Sequence, residues 1–251
     1  MEAKIHFVSG LPRSGSTLLA ALLRQNPRVQ AGMSGPLAGM CGAMLTEMSA
    51  RNEFSVFLDD AKRERTLHAL FDQYYADCKA SVIFDTSRAW CARMPALAQL
   101  FPDAKVIACV RHLPWVVDSI EQLVQKSTFS PSSIFGFSAG GTVYTRANAV
   151  ASADGLVGYA FDALKQACFG AQRERLLLVQ YETLTSAPAT VMQAIYDFIG
   201  EPHFQHDFER VEYDVTEFDV RAAAGTLAAS STCMVNWRGS MRSATPRRTG
   251  R

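Results

Sequence analysis

The chain carries almost no net charge: 25 Lys and Arg stand against 24 Asp and Glu over 251 residues, a formal charge of +1. Proteins that bind nucleic acid or membrane surfaces in a general way need a strong basic excess, so both classes are set aside. A local basic site remains open. No apolar run approaches membrane-spanning length. The first apolar stretch is broken by Pro12 and Arg13 and lacks the continuous core of a secretion signal. A cytoplasmic protein is therefore expected. The six cysteines, Cys41, Cys78, Cys91, Cys109, Cys168 and Cys233, are scattered and form no C-x-x-C pair. That argues against a disulfide scaffold or zinc site and for a reducing compartment. His203, His206 and Asp207 sit close together and are read either as a metal site or as a solvated turn. No internal repeat is present.

What is there is ordinary for a globular protein: 48% apolar and 20% charged residues. The length suits one large α/β domain. Four short apolar runs, Ile5 to Ser9, Val82 to Phe84, Lys105 to Val110 and Leu176 to Gln180, do not alternate and read as buried parallel strands. Helical patterns fall between them at Ser16 to Gln25, Asp59 to Lys79, Ala89 to Leu100, Pro114 to Lys126, Asp154 to Gln172 and Ala187 to Ile199. The last has Ser186 as expected N-cap and Gly200 as its stop.

Strands alternating with helices predict a parallel sheet covered on both faces, a three-layer αβα fold. Ligands bind beyond the carboxyl ends of such strands, so the loops after Ser9, Phe84, Val110 and Gln180 should converge. Gly32 to Gly42 and Ser127 to Thr142 read as loops. The second carries Phe129, Phe135 and Phe137. Aromatic, glycine-bearing loops over a cleft form lids or acceptor pockets, and the alternative is a surface loop tucked down by its aromatics. Beyond Val220 apolar periodicity fades and arginines dominate. The expected organisation is one domain over 1–220 and a basic, poorly ordered or atypical tail over 221–251.

The run Phe7-Val8-Ser9-Gly10-Leu11-Pro12-Arg13-Ser14-Gly15-Ser16-Thr17-Leu18-Leu19 passes from a strand through a glycine loop into a helix. Loop amides and the first N–H groups of a helix have no intrahelical partners and suit an anion. The residues alone fit a phosphate cradle or an ordinary strand–turn–helix corner with a surface arginine. Arg13 stands where a nucleoside-triphosphate loop carries Lys, and that loop's glycine spacing is incomplete. A second feature lies far along the chain. The strand Lys105 to Val110 ends in Arg111, and Ser119 follows within the next helix. A guanidinium fork matches phosphate and a hydroxyl adds a neutral donor. Helical side chains lean toward the helix N-terminus, so Ser119 can point back toward the group that Arg111 holds. The bland alternative is a surface arginine and a helix serine with no shared partner.

The Pro-Arg-Ser-Gly-Ser-Thr loop resembles the 5′-phosphosulfate-binding loop of sulfotransferases that use 3′-phosphoadenosine-5′-phosphosulfate (PAPS), in the form of the tyrosylprotein and carbohydrate branches. Arg111 and Ser119 resemble that family's 3′-phosphate clamp. Leu177 to Leu184 resembles its later strand and Tyr-Glu segment, and Pro188 to Pro202 the helix ending in Ile-Gly-x-Pro. The resemblance covers most of residues 4 to 213. It implies the sulfotransferase-like fold and a cofactor site of Pro12, Arg13, Ser14, Gly15, Ser16, Thr17, Arg111, Ser119 and Tyr181. Tyr181 is placed near the adenosine, or is a plain core tyrosine. ATP has no 3′-phosphate, so the Arg111–Ser119 pair separates PAPS from ordinary nucleotides.

The implied reaction moves the sulfuryl group of PAPS to an acceptor hydroxyl, leaving 3′-phosphoadenosine-5′-phosphate (PAP). Arg13, the loop amides and Ser16 or Thr17 stabilise charge growing on the bridging oxygen. No metal is expected, because the transferring group carries less charge than a phosphoryl group. A general base should take the acceptor proton, and here the chain departs from its relatives. Where the tyrosylprotein enzymes have Gly-Glu-Glu, this chain reads Gly32-Met33-Ser34-Gly35-Pro36. Where they have Asn-Lys-Asp-Pro, it reads Asp85-Thr86-Ser87-Arg88. Asp85 is the candidate base and Arg88 a charge stabiliser or sulfonate contact, unless the two form a structural ion pair or cap the next helix. His112 and Glu47 are further candidates. Two alternatives stay open: a nucleotide-binding module without turnover, and a P-loop kinase, which lacks Gly-Lys-Ser/Thr here. The acceptor, whether peptide tyrosine, sugar, lipid or small phenol, is not readable.

Overall fold

The computed structural model describes residues 3–50, 53–126, 141–214 and 232–235. Five strands, β1 (Lys4–Gly10), β2 (Val29–Ala31), β3 (Val82–Thr86), β4 (Val106–Val110) and β5 (Leu176–Gln180), form one sheet in the order β2-β3-β1-β4-β5. Every pairing in it is parallel. Parallel strands need long crossovers, and the helices that supply them cover both faces, which is why β1, β3 and most of β4 read as unbroken apolar runs.

Alternate side chains go to opposite faces. Val8, Val82, Phe84, Ile107 and Cys109 pack with Leu19, Leu22 and Leu23 of α1 (Ser16–Leu23) and Ile195 and Ile199 of α9 (Pro188–Ile199). Ile5, Phe7, Ile83, Val106 and Ala108 face the other way. There they meet α3 (Asp60–Tyr74), α4 (Met94–Leu100), α7 (Leu156–Phe169) and, through Leu37 and Cys41, α2 (Leu37–Glu47). The expected three-layer α/β architecture is thus the observed one. Leu19 and Leu22 are fully buried, and truncating either to alanine should cost about 2–5 kcal/mol.

The chain runs from β1 to one side of the sheet for β2 and β3, then crosses to the other for β4 and β5. Connections therefore leave the carboxyl ends of β1 and β4 in opposite directions, and a crevice opens there. The loop into α1 and the loop into α5 (Leu113–Lys126) border it.

Several local expectations need correction. Residues 37–42 are helical: only Gly32 to Pro36 is a loop, and Arg93 Nη1 ties α2 to the next layer by donating to the Ala38 carbonyl. The expected helix over 89–100 is two pieces, a 3₁₀ turn Arg88–Arg93 and α4. Pro95 has no N–H to continue the earlier turn and suits only a first helical turn. Ser186 does not cap α9; it ends the short helix α8 (Tyr181–Ser186), and Ala187 stands at the α9 N-cap with no side-chain bond. Gly200 closes α9 in the left-handed conformation, φ +68°. Strand β5 is an edge, and Leu178 is 49% exposed, because only β4 pairs with it.

The apolar runs also left β2 and α6 (Val143–Ala151) unmarked. In the tail, Thr232–Val235 forms a strand, β7, paired antiparallel with β6 (Val211–Asp214). The rest of 221–251 and the aromatic segment 127–140 lie outside the described residues.

Candidate functional site

Gly10 closes β1 with φ +105°, and a Cβ there would lie 2.1 Å from the Cys109 carbonyl oxygen. Only glycine lets the loop leave the sheet this close to β4. Arg13, at φ +57°, and Gly15, at φ +95°, are also left-handed. Such alternation turns successive amides into an anion-binding concavity. Ser14 is fully buried and faces away from the crevice. Its hydroxyl lies 2.5 Å from the Leu11 carbonyl and 2.8 Å from that of Cys109, fastening the loop to itself and to β4. Of the expected cofactor residues, Ser14 can therefore offer only its backbone. Gly15 is the α1 N-cap and supplies no side-chain bond, so the first amides of α1 have no side-chain cap among the described residues. Pro12 is buried beneath the loop, while Ser16 and Thr17 open α1 partly exposed.

The second feature meets the first. Arg13 Nε donates to Ser119 Oγ at 3.1 Å. Arg111 Nη1 reaches the Arg13 carbonyl at 3.5 Å, a long hydrogen bond. The Arg111 guanidinium lies 4.4 Å from the centre of the Tyr181 ring, a cation–π contact that fixes its plane. Tyr181 also packs on the loop, since a Cβ on Gly15 would stand 2.7 Å from its Cδ2. Arg13, Gly15, Arg111, Ser119 and Tyr181 thus form one continuous wall at the carboxyl ends of β1, β4 and β5.

Arg111 Nε is buried with no hydrogen-bond partner among the described residues. The nearest carboxylate, Glu182, stands at 3.9 Å, within ion-pair range but beyond a hydrogen bond. The Tyr-Glu pair was visible in the sequence, whereas the role of its Glu depends on α8 starting where it does. His112 is exposed, and its carbonyl accepts from the Trp115 and Val116 amides at the start of α5.

Asp85 and Arg88 are not brought together. Asp85 is 1% exposed and points to the face opposite α1. Tyr75 donates its hydroxyl to Asp85 Oδ2 at 2.7 Å, and Trp90 donates Nε1 to Oδ1 at 2.7 Å. Burial pushes the carboxyl pKa up, against the two hydrogen bonds that lower it. The alternative of an ion pair with Arg88 is not what forms: these two neutral donors hold the carboxyl group instead. The segment Gly32 to Pro36 does approach Asp85: a Cβ on Gly35 would lie 2.8 Å from Oδ2. Glu47 is exposed at the far end of α2.

Among the described residues no group of three His, Cys, Asp or Glu is placed to hold a metal ion. His203 bonds Asp197 at 2.7 Å, His206 is buried against Tyr196, and Asp207 accepts from the amides of Glu209 and Arg210. No helix among the described residues is long and apolar enough to cross a membrane.

Comparison with known proteins bears on the family and the fold. Protein-tyrosine sulfotransferase 2 of Gallus gallus is 27% identical over 207 residues, covering 79% of this chain and 52% of that protein. The chain thus spans about half the length of that relative. Among solved structures, the sulfotransferase domain from the curacin biosynthetic pathway is similar with TM-score 0.54 and 18% identity, over 81% of this chain and 76% of the other. The sulfotransferase domain of the Synechococcus PCC 7002 olefin synthase is similar with TM-score 0.51 and 19% identity, over the same shares, 81% and 76%. These structural likenesses carry the fold. The model of the sulfotransferase family matches residues 6–206, from within β1 to beyond α9, and the chain belongs to that family.

Proposed function

We propose that this chain transfers a sulfuryl group from PAPS to a hydroxyl of an acceptor. The observation that supports this most is the meeting of Arg13 with Ser119 and Arg111, which puts both anion-binding features in one crevice. The residues suit such a nucleotide. Arg111 has a buried Nε–H without a partner among the described residues, and an unpaired buried guanidinium N–H is a strong site for phosphate. The α1 amides lack a side-chain cap, and a second anion there would be favoured by the helix terminus.

In this reading Arg111 and Ser119 hold the 3′-phosphate. The backbone of Pro12 to Gly15, with Ser16 and Thr17, holds the 5′ end, and Tyr181 packs beside the adenosine. Arg13 spends only Nε on Ser119, so its terminal nitrogens remain to stabilise charge at the 5′ end. PAPS would supply the activated sulfuryl group, whose bond to the nucleotide breaks as a bond to the acceptor oxygen forms. Asp85 lies at the carboxyl end of β3 but faces the opposite side of the sheet with both oxygens engaged. In this reading it takes the acceptor proton only by turning toward the crevice, with a carboxyl pKa already raised by burial. Tyr75 must then yield its hydrogen bond. Arg88, just beyond the same strand end, would meet developing negative charge in this reading.

A second reading, nucleotide binding without turnover, is favoured by one observation. Both Asp85 oxygens are occupied and buried, and the Gly32 to Pro36 segment has no carboxylate. Calorimetry with PAP, AMP and ADP tests the shared part: PAP should bind at least about tenfold tighter, and equal affinities would remove both readings. Labelled PAPS offered to mixed phenol, peptide and sugar acceptors then separates transfer from binding alone.

A further inference from the structure

Thr86 is the last residue of β3 and shares a face with Val82 and Phe84, the face that α1 covers. It is 6% exposed, and its hydroxyl Oγ1 has no hydrogen-bond partner among the described residues. The surrounding backbone is engaged. The Thr86 carbonyl accepts from the Gly35 amide at 2.9 Å, and the Ser87 amide donates to the Val8 carbonyl at 2.9 Å. A buried hydroxyl left unpaired destabilises a fold, and such groups call for an explanation.

The explanation lies in where the hydroxyl sits. Val8 is its register partner on β1. Two residues further, β1 ends at Gly10 and the loop to Arg13 and α1 begins. On its other side runs the segment Gly32 to Pro36, held to β3 through Gly32 and Gly35. The unpaired O–H therefore lies buried at the carboxyl edge of the sheet, on the α1 face, between the strand that feeds the anion loop and the segment Gly32 to Pro36. In the Asp85-Thr86-Ser87-Arg88 segment, Thr86 takes the place where the tyrosylprotein enzymes carry lysine.

We propose that Thr86 Oγ donates a hydrogen bond to an oxygen of the sulfuryl group, so that this chain tells the sulfated nucleotide from the desulfated one with a neutral donor. This rests on the PAPS reading given above. The threonine keeps its proton throughout and only orients and stabilises the group. Charge at the sulfur end then comes from Arg13 and Arg88. A non-ionisable donor also leaves this contact indifferent to pH.

The test uses Thr86→Val and Thr86→Ser in the full chain, with thermal unfolding of the ligand-free protein and calorimetry with PAPS and PAP, before any acceptor is added. Removing an unpaired buried hydroxyl should raise the Thr86→Val midpoint by about 2–4 °C. The same variant should bind PAPS about tenfold more weakly and PAP within about twofold of the parent, with Thr86→Ser restoring the parent ratio. A Thr86→Val protein that melts below the parent, or that keeps the parent's PAPS-to-PAP ratio, overturns the inference and leaves the PAPS reading intact. A parent protein that prefers neither nucleotide over AMP removes the reading itself.

Discussion

Arg13 Nε and Ser119 Oγ stand 3.1 Å apart although 106 residues separate them in the chain. The contact joins the loop after β1 to the middle of α5, across the crevice where the sheet's connections diverge. Arg111 completes it from the end of β4 through the Arg13 carbonyl. The arrangement is therefore shared between two crossovers, and its members should matter unequally. Ser119→Ala removes one neutral donor and should weaken PAP about tenfold, the worth of a hydrogen bond to a charged group. Arg111→Ala removes a charged fork and should erase most of the preference for PAP over ADP. Calorimetry on both variants checks the order, which would be reversed if Arg111 only braced Tyr181.

Gly15→Ala should damage both stability and binding. The backbone there is left-handed, and the new methyl would stand 2.7 Å from the Tyr181 ring. The expected loss is about 1–3 kcal/mol. In a Tyr181→Ala background the steric part disappears and the backbone part stays. The penalty should shrink but not vanish, and a double-mutant cycle in urea measures the difference.

Asp85→Asn probes the proposed base. The variant should bind PAP as the parent does and lose about 100-fold or more in transfer. Unchanged transfer would return Asp85 to a purely structural role. Stability carries a second signature. Burial raises the folded-state carboxyl pKa from the ordinary 3.8, so above that value the folded state holds more protons than the unfolded chain. Stability contributed at this group therefore falls as pH rises from about 4 toward the raised value. The Asn variant should lack that slope.

His6 has the opposite sign. It is 2% exposed, its Nδ1 accepts from the Lys105 amide at 3.2 Å, and burial lowers its pKa from 6.5 to about 4. Between those values the unfolded chain binds the proton and the folded one does not. Stability should fall as pH drops from 6.5, by up to about 3 kcal/mol once pH is below 4. His6→Asn keeps an acceptor for the Lys105 amide and should flatten that stretch of the stability–pH curve, measured by chemical denaturation at each pH.

Much of this was legible in the residues, because periodicity is local. Non-alternating runs such as Ile5 to Ser9 can only be strands buried on both faces, and the helical stripes between them require crossovers, so the three-layer sheet followed. Chemistry confined to a few neighbours was legible too: Gly10 to Thr17 can only be a turn into a helix start. Elements lacking a local signal were missed. The three residues of β2 are too short for a pattern, and α2 is interrupted by glycines that its packing tolerates.

The site needed the tertiary structure because its decisive contacts are long-range. Nothing near Arg13 in sequence announces Ser119; the sheet order puts their loops on one crevice. Asp85 sits at the right strand end, but pleating turned it to the far face, where Tyr75 and Trp90 take its oxygens, and set Thr86 on the near face with its hydroxyl unpaired. The chain's own residues determined which groups reach the carboxyl edge of the sheet. Only three-dimensional packing decided which of them face the crevice and which are bound elsewhere, since a one-residue step along a strand reverses the direction of every side chain.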